Sequence, residues 1–283
     1  VRRHHIVWLV VACAIVYTIA VIVINGGGNR EETFTSSSPT SGSVVSVYLD
    51  EVAFDPARQS IDVRIDLASG SDRHGARYGG KIDRDVQLSV DDGDSQQVIE
   101  VHRSEEATSH VVSLDLRGAL NAYPFDRYRG RIVVSASERS PLRKFRSAVL
   151  RATIWEGVPG WAIGVGAATD TQSPTALILT VTARRPIPVV SFAVLLFALM
   201  IVVAVCSLTI GGMVFARLRK VESTIVGALV AMVFSIAALR NVLPGAPPVG
   251  VTADLLVFLL TEVAVIVGLS LLVTSWAKRG PGG

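Results

Sequence analysis

The stretch ALILTVTARRPIPVVSFAVLLFALMIVVAVCSLTIGGMVFA, residues 176–216, decides the architecture. Leu179, Val181 and Ala183 alternate with Thr180, Thr182 and Arg184, the period of two expected of a strand with one buried face. After Arg184-Arg185-Pro186 the period disappears, and Val189 to Ala216 gives 28 residues without a formal charge. About 20 residues of helix cross a hydrocarbon core, so the second half reads as a membrane span with length to spare. A strand that runs straight into a span predicts a β-rich domain joined stiffly to a membrane unit.

Working outward, three further blocks approach spanning length. Ile6 to Ile24 gives 19 uncharged residues, Ser223 to Leu239 gives 17, and Leu255 to Trp276 gives 22 with Glu262 as its one charge. Basic residues near the span ends orient them. Arg2, Arg3, Arg217, Arg219, Lys220, Lys278 and Arg279 fall on one side with a single acid, Glu222. The opposite short loop, Arg240 to Asp254, carries one charge of each sign. The bias predicts a multi-pass plasma-membrane protein with both termini cytoplasmic and residues 26–186 extracytoplasmic. The basic excess is therefore a topology signal: residues 26–186 hold 19 Lys and Arg against 21 Asp and Glu, and the rest holds 8 against 3. Nothing in that distribution supports binding to nucleic acid.

Between the first and second spans, Asn25 to Ser43 is rich in Gly, Ser and Thr and reads as a flexible tether. From Val44 onward, short runs alternate: Val45-Val47-Leu49, Ile61-Val63-Ile65-Leu67, Val86-Leu88-Val90, Val112-Leu114-Leu116 and Ile132-Val134. Two later runs, Val149–Trp155 and Ala176–Ala183, continue them. Nine or ten strands without a helix predict an antiparallel β-sandwich. The expected fold class is thus an α+β membrane protein, an extracytoplasmic antiparallel sandwich with four transmembrane helices, one N-terminal and three C-terminal. The expected parts are an anchor at 1–25, a linker at 26–43, the sandwich at 44–186, a three-helix membrane domain at 187–277 and a tail at 278–283.

Both cysteines, Cys13 and Cys206, lie within spans, so no disulfide staples the sandwich. Val10-Val11-Ala12-Cys13 loosely matches a lipoprotein cleavage box, but the apolar run continues past it and suits an anchor. Asp91-Asp92-Gly93-Asp94 lacks the spacing of a calcium loop and reads as a hairpin turn. Of the five histidines, His102 and His110 flank a polar turn and would meet if their strands formed a hairpin, but no metal-ligand spacing accompanies them. No nucleophile elbow, P-loop or dinucleotide fingerprint is present, so neither an enzyme nor a cofactor is expected. Arg127, Arg129 and Arg131 alternate on one strand face. A solvated or acid-paired face is the favoured reading, contact with anionic headgroups the other.

The order of a β-domain, then Tyr123-Pro124-Phe125-Asp126, then a last strand ending Arg184-Arg185-Pro186 and three packed spans resembles the pentameric ligand-gated ion channels. Val47 to Ala68 is similar to that family's first hairpin with its acidic turn. Trp161 and Thr175–Pro186 are similar to its last strands, and Pro247-Pro248-Val249-Gly250 to the loop joining two of its channel helices. More closely, YPFDRY, with Leu239-Arg240-Asn241, Pro244-Gly245 and Pro247-Pro248, resembles an actinobacterial family of membrane proteins, domain of unknown function 4436. The resemblance implies a coupling surface of Tyr123, Pro124, Phe125, Asp126, Arg185, Arg240, Pro247 and Pro248. For the tetrapeptide, a transmitting loop and a structural corner of the sandwich stand side by side. The channel reading makes residues 223–240 a pore lining, with Ser223, Thr224 and Ser235 its polar residues. That is sparse beside the polar side chain per turn usual in a conducting helix.

Glu262 lies nine residues into the last span, about 13 Å deep at 1.5 Å per residue. A charge at such depth costs about 2.5–3.5 kcal/mol, so the side chain is expected to face the bundle or a wet cavity. A structural partner such as the hydroxyl of Tyr17 or Thr18 and a functional role are both open. The expected function is binding of a ligand, lipid or envelope partner, without catalysis. The alternative is a homopentameric channel. The partners expected are the lipid bilayer and either a second copy of the chain or another envelope protein.

Overall fold

The computed structural model describes residues 31–36, 44–69, 84–103, 109–139, 145–155, 157–168, 176–220 and 222–279. The expected first span, with Cys13, Tyr17 and Thr18, lies outside them. The chain forms two compact units. One comprises Val1–Ala119 with Arg127–Pro186, the other Leu120–Asp126 with Ile187–Gly283.

The first unit is β throughout its described residues. One sheet runs in the order β1 (Glu31–Thr35), β10 (Val149–Trp155), β2 (Val44–Asp55), β3 (Ser60–Ser69), β6 (His110–Asp115). The second runs β11 (Ala162–Ala167), β12 (Ala176–Arg184), β8 (Arg127–Arg139), β4 (Val86–Asp91), β5 (Gln96–Val101), with β7 (Arg117–Gly118) and β9 (Phe145–Ser147) also paired to β8. The alternating apolar residues of both sheets bury into one core. Val47, Ile65, Leu88, Val134 and Leu150 have no accessible surface, so truncating the larger of them to Ala costs about 2–5 kcal/mol each. The β2–β3 hairpin turns because Asp55 Oδ1 accepts from the N–H groups of Ala57 at 2.8 Å and Arg58 at 3.2 Å. Toward one end of the core, Phe54, Tyr128 and Trp161 meet edge to face at centroid separations of 4.5–5.7 Å.

Three expectations need correction. Among the described strands, pairing is antiparallel except where β10 joins β2 in parallel. The long crossover from Asp55 to Val149 permits that pairing, which a tight turn cannot make. Within the expected tether, Glu31–Thr35 forms β1, with Phe34 packed against the core and Ser36 Oγ accepting from Leu150 N–H at 3.0 Å. Alternating Thr33, Phe34 and Thr35 fit a half-buried edge strand despite the polar setting. Finally, β5 and β6 lie in different sheets, so His102 and His110 do not face each other across a hairpin. Among the described residues no group of three His, Cys, Asp or Glu is placed to hold a metal.

The second unit contains α1 (Ile187–Phe215), α2 (Ser223–Asn241), a π-helical turn at Asp254–Phe258 and α3 (Leu259–Arg279). All three helical segments are long and apolar enough to cross a membrane. Their outward faces stay apolar: Leu195 is 56% exposed and Phe234 72%. Lacking a driving force between apolar surfaces in lipid, such helices pack where small residues let backbones approach. Gly211 on α1 faces Gly268 on α3 this way. A Cβ on Gly268 would lie 2.7 Å from the Ser207 carbonyl oxygen, and one on Gly211 would overlap the Gly268 carbonyl. Ser207 Oγ donates to Val265 O and Ser275 Oγ to Val214 O, each at 3.3 Å.

Candidate functional site

The Tyr123-Pro124-Phe125-Asp126 segment follows a 3₁₀ turn at Leu120–Ala122, and Phe125 N–H closes back on Ala122 O at 2.8 Å. The Tyr123-Pro124 peptide is cis. The strands on either side belong to the β unit, yet these seven residues, Leu120–Asp126, belong to the helical unit. Tyr123 is 4% exposed and shares a core with Phe197, Met200, Ile236, Leu243 and Val265. Its ring meets Phe197 edge-on at 6.3 Å, and its hydroxyl donates to Pro244 O at 3.0 Å. Pro124 and Asp126 are buried, whereas Phe125 is 66% exposed.

Pro244 belongs to the loop between α2 and the π-helical turn, and an ion pair holds that loop. Arg240 donates through Nε to Asp254 Oδ1 at 3.3 Å and through Nη2 to Asp254 Oδ2 at 3.0 Å. The same Nη2 reaches Pro247 O at 3.0 Å, and Gly250 N–H donates to Asp254 Oδ2 at 3.0 Å. The two side chains are only 15% and 8% exposed. Each buried charge therefore has its partner and further hydrogen bonds, the condition for keeping a pair out of water. Gly245 at φ 75° and Gly250 at φ 99° supply the left-handed turns that fold the loop over it.

Of the residues expected to form a coupling surface, Tyr123, Arg240 and Pro247 thus share one unit with Pro124, Phe125, Asp126 and Pro248. Arg185 is in the β unit, 6% exposed, its guanidinium 4.6 Å above the Trp161 ring. Asp254 and Phe197 were not singled out from the sequence as site residues, and Pro244 stood there only as part of the family motif. Asp254 was legible as the one acid in a loop whose one base is Arg240. Phe197 was not, being one apolar residue among many in a span.

Glu262 sits in the first turn of α3. Among the described residues its Oε2 is buried without a hydrogen-bond partner, and Arg240 is committed to Asp254. Thr224 and Ser235 are exposed on α2, and Ser235 Oγ donates back to Ala231 O at 2.8 Å. Such a back-bond satisfies the hydroxyl within its own helix.

The β unit has a second feature. A cavity of about 30 Å³ lies between its sheets, walled by residues such as Ile65, Leu114, Val134 and Leu179, with Glu51 its one ionisable lining residue. That is space for about one or two waters. Glu51 continues the inward phase of Val45, Val47 and Leu49, and a bulge between Glu51 and Ala53 then resets the strand so that Phe54 points in. The alternation alone placed Glu51 inside, a signal that the acid's polarity obscured.

At the β4–β5 turn, Asp92 accepts from the N–H groups of Asp94 at 3.1 Å, Ser95 at 2.7 Å and, on the other sheet, Asp115 at 3.0 Å. Partial burial raises the Asp92 pKa, but these N–H groups and the Ser95 hydroxyl more than offset that and hold it below the ordinary carboxylate value. The acidic run is a turn that ties two sheets together.

Comparison with curated proteins finds no match. Residues 185–279, the three helices, match a family model described as domain of unknown function DUF8686. Residues 34–182, more than half of the chain and nearly all of the β unit, match the model described as domain of unknown function DUF4436, and the chain belongs to that family.

Proposed function

We propose that this is a multi-pass plasma-membrane protein whose extracytoplasmic β domain binds a ligand, lipid or envelope partner and passes the event to the membrane helices, without catalysis. The observation that carries the reading is the seat of Tyr123. A segment between two strands supplies a buried ring to the core of the helices and a hydrogen bond to the loop that joins two of them. On this reading a displacement of β8 is passed through Asp126, Phe125 and Pro124 to Tyr123, whose hydroxyl donates to Pro244 O. Uncharged length supports four spans, with the first formed by Ile6–Ile24, and the distribution of Arg and Lys supports both termini inside.

Hydrogen exchange of the full chain in lipid nanodiscs tests the coupling. Tyr123→Ala should raise exchange both in residues 240–251 and at the start of β8. Unchanged exchange at 240–251 would sink it. The alternative, a homopentameric channel lined by α2, requires five-fold particles in the membrane-extracted protein, and a monomer or dimer rules out that pore.

A further inference from the structure

The outward face of the second sheet carries an unusual grid of side chains. In β8, Tyr128, Gly130 and Ile132 turn inward, so Arg127, Arg129 and Arg131 turn outward. The β12 register sets Arg184 directly opposite Arg127, Thr182 opposite Arg129 and Thr180 opposite Arg131. On the other side of β8, Arg117 stands opposite Arg129. Beyond β12, the edge strand β11 offers only Ala162, Gly164 and Gly166 in the same three rows, and space above Gly166 is open. The result is a low shelf of small residues, a row of hydroxyls and a bank of arginines.

Like charges directly opposite across a strand pair are destabilising, and this face has two such pairs, Arg127 with Arg184 and Arg117 with Arg129. The nearby acids are few. Asp94 pairs with Arg117, and Asp91 lies one row past Arg131, opposite Val133. Among the described residues Arg127, Arg129 and Arg184 have no ion-pair partner. Cross-strand Cβ atoms lie about 5 Å apart, and Arg127 and Arg129 are about 7 Å apart along the strand. Three exposed Arg side chains thus rise from one small patch of the sheet, each able to donate to an anion, while the Thr182 hydroxyl beside them is taken up by Gly164 O at 3.0 Å.

Chain connectivity identifies the source of the anion. Ile187, the first residue of α1, follows Arg184 by three residues. Even a fully extended chain separates them by at most about 11 Å. The headgroup layer on each side of a bilayer is roughly 5–8 Å thick, so on the membrane reading of α1 the chain itself keeps Arg184 within reach of that layer, and Arg127 is its cross-strand neighbour. We infer that Arg127, Arg129 and Arg184 form a docking surface for anionic phospholipid headgroups. The inference rests on the membrane reading of α1 and names the lipid class that the β domain recognises.

The test uses the full chain in mixed micelles of phosphatidylglycerol and phosphatidylcholine, with retained lipids counted by native mass spectrometry. Wild type should retain phosphatidylglycerol in preference. An arginine near an anionic surface contributes about 1 kcal/mol, or roughly fivefold in affinity. Each of Arg127→Gln, Arg129→Gln and Arg184→Gln should therefore weaken the preference about fivefold, and the triple variant on the order of 100-fold. Replacement of all three by Lys should keep much of it. Equal retention of both lipids by wild type would overturn the proposal, as would single and triple Gln variants indistinguishable from wild type. Displacement of the lipid by millimolar inorganic phosphate would assign the face to a soluble anion and overturn the lipid assignment. Cysteine accessibility at Gln96 and Lys278 in intact cells checks the membrane reading separately, since it reports the spans whatever the lipid preference.

Discussion

Asp254→Ala strands the Arg240 guanidinium. The carboxylate supplies the acceptor for Nε and one of the two for Nη2, at 3.3 and 3.0 Å, and its loss leaves only Pro247 O. With the arginine side chain 15% exposed, little water reaches it to compensate. Breaking a buried pair from one side costs about 3–5 kcal/mol, and the residual exposure and the Pro247 bond place this case near 3. Arg240→Met strands Asp254 with the Gly250 N–H alone and should cost a similar amount. The double variant Arg240→Met/Asp254→Leu leaves no buried charge and fills the space with apolar atoms, so its cost should fall to about 1 kcal/mol or less. The cycle therefore predicts non-additivity of several kcal/mol, well above the roughly 0.5 kcal/mol scatter of independent sites. Reversible unfolding of the full chain by SDS titration in bicelles measures all four variants. If the double variant loses the sum of the two single losses, the pair is not the clamp described, and the loop that carries Pro244 is held by something else. Asp254→Asn, which keeps an acceptor for Gly250 but no charge, should fall between wild type and Asp254→Ala.

Two further variants probe packing and the turn. Gly268→Leu drives a side chain into the Ser207 backbone and should separate α1 from α3, lowering the yield of monodisperse full-length protein in fluorescence-detected size exclusion; wild-type behaviour would mean that the helices do not approach at Gly211 and Gly268. Because the folded pKa of Asp92 lies below its unfolded value, its contribution to stability is complete above about pH 4 and fades as pH falls through the folded value. Asp92→Asn should thus cost about 1 kcal/mol at neutral pH, a figure discounted for solvent exposure, and the gap from wild type should close toward pH 3 in thermal unfolding; a gap that is constant with pH would remove the carboxylate from the account.

What the sequence determined by itself is whatever depends on local period and length. Alternation every two residues marked β2, β3, β4, β6, β8, β10 and β12. Unbroken apolar length marked α1, α2 and α3 to within a few residues. These signals survive because burial on one face, or on every face in lipid, repeats along the chain at a fixed step. The YPFD segment stood out, as did Arg240 and the paired prolines, but which of their neighbours they touch did not. Tertiary structure alone decided that Tyr123 leaves the strands around it to join the helix core, and that Arg185 stacks on Trp161. It also decided that β10 inserts in parallel beside β2, and that Arg184 lands opposite Arg127. Each of these is a pairing between residues far apart in the chain. A register or a contact of that kind depends on how whole elements dock, and no period within either element encodes it.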